Sequence, residues 1–340
     1  MKKYIVVALV TSFLSSLAGT AQAFPLDFTG DFRVQARMIN DQINTNIPPK
    51  FEKKYWEYRT RLNFSGKVDQ DTTFFGRFSV RTYQGLGAEV KSNNELDKFG
   101  VMINTNNWKL TLGRQAITIG QGAVLGTGDD ASGSTNSFDG IKASTKLNNV
   151  DVTAFGGKNT STIYSSAFGG FLPITINPIN EWYGLDLKTK FSNNLSGGLS
   201  YAHKKPEKIV ATNYTAVNAT YNASPNFALN TEYVKSSSND KKKGYFISGT
   251  YQKDKDRFTV QYNKIEANSV DSNSGLAAGP FAFKGADLPN GYKGFAFFYN
   301  HQVKKTMSLG VAYMDLKPID AATYGSGSDN EFVTTLNWRF

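Results

Sequence analysis

The chain has 340 residues, with 38 basic side chains against 28 acidic ones and a formal net charge of +10. It contains no cysteine and two histidines, which excludes a disulfide framework and leaves little from which to build a zinc centre or a histidine-activated nucleophile. Mean hydropathy is −0.38 although aromatics reach 14%, and no stretch after residue 23 is apolar for the roughly 20 residues that a membrane-spanning helix needs.

At the start of the chain, Lys2 and Lys3 precede an apolar run from Tyr4 to about Leu17, which closes on Ala21-Gln22-Ala23. A basic start, a short apolar core and a small-residue ending predict a secretory signal peptide over residues 1–23. Cleavage before Phe24 would leave one domain, residues 24–340. Export argues against nucleic acid as the partner of the basic excess and points to lipid phosphates or small anions.

From residue 27 the sequence alternates. Phe28, Gly30, Phe32, Val34, Ala36 and Met38 share one parity, while Asp27, Thr29, Asp31, Arg33, Gln35 and Arg37 share the other. Successive side chains of a strand point to opposite faces, so the pattern predicts one apolar face and one charged face. The same sorting sets Trp56, Tyr58, Leu62 and Phe64 against Glu57, Arg59, Arg61 and Asn63. It continues with Phe74, Phe78 and Val80 against Arg77, Ser79 and Arg81, and it recurs as far as Phe332 to Phe340.

Short polar turns near 69–71, 104–107, 148–149, 193–194, 224–226, 254–256 and 304–305 alternate with long connections. The long ones fall around 40–54, 84–95, 115–137, 157–181, 203–213, 235–243, 264–291 and 315–330. Fifteen connections join 16 strands, with 14 and 18 as the neighbouring counts. The expectation is an all-β fold: a closed, transmembrane, antiparallel β-barrel of about 16 strands with an inward third loop. A soluble sandwich would also alternate, but its strands average about 5–6 residues, shorter than these runs.

A barrel of this size encloses an aqueous channel, which makes the lumen-facing charges the candidate functional residues. Arg33, Arg37, Arg59, Arg61, Arg77 and Arg81 lie on the polar parity of three successive strands and predict a basic wall. Like charges that close together need water, counterions or carboxylates between them. The third long connection carries LGTGDDASGSTNS; folded inward, its Asp129 and Asp130 would oppose the arginines across a constriction and set a transverse field. The plainer alternative is that the arginines are solvated lumen residues and the loop stays outside.

Arg114 breaks the pattern, because alternation from Leu110 and Leu112 places it on the lipid face, at a cost of about 2–4 kcal/mol at mid-bilayer. A bulge at Gly113, or the end of the strand, is expected to turn it inward as a further pore residue. The loop lysines Lys53-Lys54, Lys204-Lys205 and Lys241 to Lys243 are either solvated surface or contacts to lipid phosphate. His203 and His301 are distant in sequence; His301 has no adjacent serine and His203 begins a lysine-rich loop, so no catalytic residue, cofactor or metal is expected.

The segment WKLTLGRQAITIGQG, the returning strand FDGIKAST and the terminal NWRF resemble the general Gram-negative porins. The resemblance covers the whole mature chain in architecture and is local in sequence. It implies an outer-membrane location, a homotrimer, a third loop facing a basic cluster, and a terminal aromatic, Phe340, read by the barrel assembly machinery. The function it implies is passive diffusion of small hydrophilic solutes, and the basic lumen adds a preference for anions. Two alternatives stand beside it. One is a channel specific for a phosphate, a carboxylate or an acidic sugar, with Phe75 and Tyr83 as stacking surfaces; the other is a structural or adhesive barrel.

Overall fold

The computed structural model describes residues 25–41, 51–85, 91–122, 125–127, 137–160, 163–165, 172–174, 180–206, 211–270, 291–320 and 327–340. The expected signal peptide and the loop carboxylates Asp129 and Asp130 lie outside these residues. Among the described residues the alternating runs become twenty strands. The first seven are β1 (Leu26–Asp41), β2 (Phe51–Lys67), β3 (Thr72–Gln84), β4 (Lys91–Asn104), β5 (Trp108–Gln115), β6 (Ile117–Ile119) and β7 (Leu125–Thr127). Then come β8 (Ser137–Leu147), β9 (Val150–Thr160), β10 (Ile163–Ser165), β11 (Leu172–Ile174), β12 (Asn180–Lys190), β13 (Leu195–Pro206) and β14 (Thr212–Ser224). The last are β15 (Phe227–Ser236), β16 (Lys243–Lys253), β17 (Asp256–Glu266), β18 (Gly291–Lys304), β19 (Met307–Pro318) and β20 (Asp329–Arg339).

Sixteen of them form one closed antiparallel barrel, in the order β1-β2-β3-β4-β5-β8-β9-β12-β13-β14-β15-β16-β17-β18-β19-β20. The pairs β6–β7 and β10–β11 form small separate ladders in the third and fourth long connections. Neither ladder is visible in the sequence pattern. The wall strands also run longer than the alternation suggests. β1 reaches Asp41 and β2 begins at Phe51, so the first connection is shorter than the expected 40–54. Backbone pairing continues past the point where side-chain alternation fades, because the ladder is held by main-chain groups.

Closure removes the two sheet edges, the one arrangement in which strands satisfy all their backbone groups in lipid. β1 meets β20 from Asp31↔Arg339 to Asp41↔Asp329. Below that pairing, Gly30 and Phe340 exchange backbone hydrogen bonds of 2.8 and 3.0 Å. The Phe340 ring covers Gly30, where a Cβ would stand 2.3 Å from the ring Cζ. The terminal aromatic therefore completes the seam.

Between its two rims the outer face is apolar: Phe28, Leu62, Ile141, Leu199, Val217 and Ile247 are all exposed. Such a continuous surface is unsuited to water and suited to lipid. It is bordered by two aromatic girdles. Trp108, Phe191, Tyr221, Tyr251 and Trp338 mark the end with the seven short turns, and Trp56, Tyr183, Tyr201, Tyr233 and Tyr313 mark the end with the long connections. The inner face is polar for much of its height. Near the long-loop end of β8 to β15, however, Phe138, Phe155, Trp182, Ala202, Tyr214 and Val234 form an apolar strip, against which Ile117 and Ile119 of β6 pack.

Candidate functional site

The inner face of β1, β2 and β3 carries all six arginines singled out in the sequence. Arg33 sits directly opposite Arg59, and Arg59 directly opposite Arg81, so three guanidiniums share one register row. Repulsion at that spacing is destabilising unless it is offset. The offset comes from carboxylates in the wall itself. Glu57 pairs with Arg33 at 2.5 Å and Arg81 at 3.3 Å, and Asp31 with Arg59 at 2.7 Å and Arg61 at 2.8 Å. Asp97 takes Arg77 through two hydrogen bonds, of 2.7 and 2.8 Å. Arg37 donates to Gln35 at 2.8 Å and to the Tyr55 hydroxyl at 3.1 Å, with Glu331 of β20 at 3.7 Å.

The cluster is also closely packed: the Glu57 side chain is 1% exposed and that of Arg59 3%. Asp31 and Glu57 already share the arginine parity in the sequence, but the register that pairs them across strands cannot be seen there. Asp97 is less legible still. It is the extra residue where the β3–β4 register shifts between Arg77 and Phe78, and that bulge brings it to Arg77.

Arg114 does not turn inward. Gly113 adopts a left-handed φ of 118°, yet pairing runs unbroken through Phe99↔Arg114 and Arg114↔Asp139. With no residue inserted, Arg114 keeps the outward parity of Leu112. Its guanidinium makes a bidentate pair with Asp139 at 2.7 and 2.8 Å and lies 5.4 Å from the Phe99 ring centroid. The neutralising partner lies on the neighbouring strand, so the charge needs no inward turn.

Arg114 belongs to a row that sequence reasoning missed. Arg114, Asp139, Lys158, Glu181 and Lys205 are successive register partners across β5, β8, β9, β12 and β13, with alternating signs. On the far side of the barrel the corresponding row is Lys264, Lys293 and Lys317 of β17, β18 and β19, also in register. None of these three has an ion-pair partner among the described residues. The two histidines lie on the outer face: His203 stacks on Tyr183, and His301 meets Asp256 at 2.8 Å. No group of three or more potential metal ligands occurs among the described residues.

The described start of the third long connection lies against a different part of the wall. Gly120 N–H donates to Asp186 of β12 at 3.1 Å, and Gln121 N–H to Glu232 of β15 at 3.2 Å. The Gln121 side chain reaches the Ala219 carbonyl of β14 at 3.1 Å. These strands lie about halfway round the barrel from β2. Gly120 has a φ of +62°, and a Cβ there would fall 2.1 Å from Glu232 Oε1, so the close approach requires glycine.

Beside this segment a cavity of about 710 Å³ is bounded by β14 to β20. Its lining is amide, hydroxyl and apolar, with Arg257, Lys305 and Arg339 at the short-turn end.

No family model and no curated protein matches the chain. Solved structures do. Salmonella typhi OmpF in complex with daunomycin is 14% identical, with a TM-score of 0.58 over 93% of this chain and 98% of that one. A double mutant of the Rhodobacter blastica porin is 11% identical, with a TM-score of 0.56 over 93% of this chain and all of its own. A second engineered form of that porin, with three substitutions, gives 10% and 0.55. At such identities the likeness speaks to the fold: the chain is a porin-like barrel of 16 antiparallel strands.

Proposed function

We propose that this chain is an exported outer-membrane porin of a Gram-negative bacterium, a passive diffusion channel for small hydrophilic solutes that favours anions. The observation that carries the reading is the placement of two features on opposite inner walls of a porin-like barrel. The arginines of β1–β3 stand on one side, and the start of the third long connection is bonded to β12–β15 on the other. Together they bound the narrow part of the passage, at Arg33, Arg37, Arg59, Arg61, Arg77 and Arg81, with Asp129 and Asp130 carried farther along the same loop.

Residues 1–23 are the export signal, and the short turns face the periplasm. Phe340, at the seam with Gly30, is the signal taken by the barrel assembly machinery. The resemblance to porins supports a homotrimer. Lipid phosphates are the partners that best suit the row Lys264, Lys293 and Lys317, because neighbouring lysines in register repel unless an anion lies between them.

Reconstituted vesicles test the reading. With the purified protein they should swell in isotonic neutral sugars at rates that fall with sugar size and do not saturate with concentration. Vesicles that fail to swell in any sugar would remove the open channel.

A further inference from the structure

Inside one barrel the two inner walls treat charge differently. On β1–β4 and β20, six arginines meet Asp31, Glu57, Asp97 and Glu331 at 2.5 to 3.7 Å, with Glu95 opposite the inner-face Ser79. With Lys98 opposite Arg77, seven positive groups face five negative ones, so most of the charge on this wall is offset at close range. The cavity bounded by β14–β20 is lined by amides such as Gln261, Asn263 and Asn300, by hydroxyls such as Thr250, and by the rings of Phe246 and Phe298. No carboxylate is among its lining residues. Glu232, the inner-face carboxylate nearby on β15, is fully buried and occupied by the backbone N–H of Gln121.

The charges that line this cavity are Arg257, Lys305 and Arg339. They come from the second residue of β17, the β18–β19 turn and the last residue of β20, so all three lie at the short-turn mouth. Each is exposed to the lumen, and none is ion-paired among the described residues. Three cations without an ion-pair partner, beside a cavity lined by no carboxylate, attract anions more strongly than the same number of cations neutralised at contact distance.

We infer that Arg257, Lys305 and Arg339, with the amide and hydroxyl wall above them, form a transit site for small hydroxylated organic anions. The cations hold the anionic group. The amides and hydroxyls exchange hydrogen bonds with the solute's hydroxyls in place of water, and Phe246 and Phe298 offer apolar faces to its carbon skeleton. The site rests on the channel reading and deepens it. It adds a second source of anion preference at the periplasmic mouth, extending from β17 to β20, where Arg339 stands in register with Asp31 of the arginine cluster.

The test is a planar-bilayer titration of the full-length mature protein with gluconate, in a constant chloride background. Gluconate should lower the chloride current in a saturable manner, and at lower concentration when added from the short-turn side. In the triple variant Arg257→Gln, Lys305→Gln, Arg339→Gln the half-blocking concentration should rise at least tenfold, while glucose should block both proteins weakly and equally. The single variants should each move it by severalfold, so the site is tested even if the triple variant assembles poorly. Equal gluconate block in the wild type and the variants, or no block of a normally conducting channel, would overturn the site and leave the porin reading standing. No chloride conductance at all would sink the porin reading, and the site with it.

Discussion

The wall built from β1–β4 and the wall built from β14–β20 obey the same alternation, yet they arrive at opposite electrostatics. The first is rich in charge and almost cancels it locally. Arg33, Arg59 and Arg81 share a row, and Glu57 and Asp31 sit within that row's reach. The second is poor in charge, and the three cations at its mouth stand without partners among the described residues. Counting lumen arginines is therefore a poor guide to the field a solute meets; the spacing between opposite charges decides it.

The largest expected effect comes from breaking the cancellation in the first wall. Glu57→Gln strips Arg33 and Arg81 of their shared carboxylate, which is almost completely buried. Removing one partner of a buried ion pair destabilises by about 3–5 kcal/mol, and the water in the lumen holds this case near the lower figure, about 3 kcal/mol. Urea unfolding from lipid vesicles should show that loss, with a stronger anion preference in the variant that folds. Unfolding unchanged by the substitution would mean that the pairs are fully solvated and the two walls differ less than their geometry suggests.

A smaller effect is expected from Arg59→Gln combined with Arg61→Gln. The change unmasks Asp31, which holds both guanidiniums, and should lower the anion preference measured in a salt gradient. An unchanged preference would take this pair out of the narrow passage.

The smallest lies in the turn beneath the charged wall. Asp69 accepts the backbone N–H groups of Asp71 at 2.9 Å and Thr72 at 2.7 Å, and these bonds hold its carboxyl below the usual aspartate value. A carboxyl lowered on folding stabilises the turn fully above its unfolded pKa and loses that contribution as pH falls through the folded one. Asp69→Asn should lose a small part of the stability near neutrality and make what remains less dependent on pH below about 4. A variant with the same acid profile as the wild type would assign the acid sensitivity to other carboxylates.

Much of the barrel is legible in the sequence, because period-2 alternation and turn chemistry are local signals. Phe28 to Met38 declare their face without knowledge of any partner. The lumen arginines are legible for the same reason. Their partners are not: Glu57 meets Arg33 only through the β1–β2 register, and Asp97 meets Arg77 only because β4 carries a bulge. Arg114 shows the converse failure. The glycine before it invites a bulge, but a left-handed φ without an inserted residue leaves parity intact, and Asp139 removes the need for an inward turn. The three cations of the cavity lining come from residues as distant as Arg257 and Arg339, and no spacing announces them.

The most direct measurement is the reversal potential of the purified protein in a planar bilayer under a tenfold potassium chloride gradient. An ohmic conductance that reverses on the chloride side of zero is the predicted result, and it would establish an open pore that prefers anions. Reversal on the potassium side, or no conductance, would contradict it.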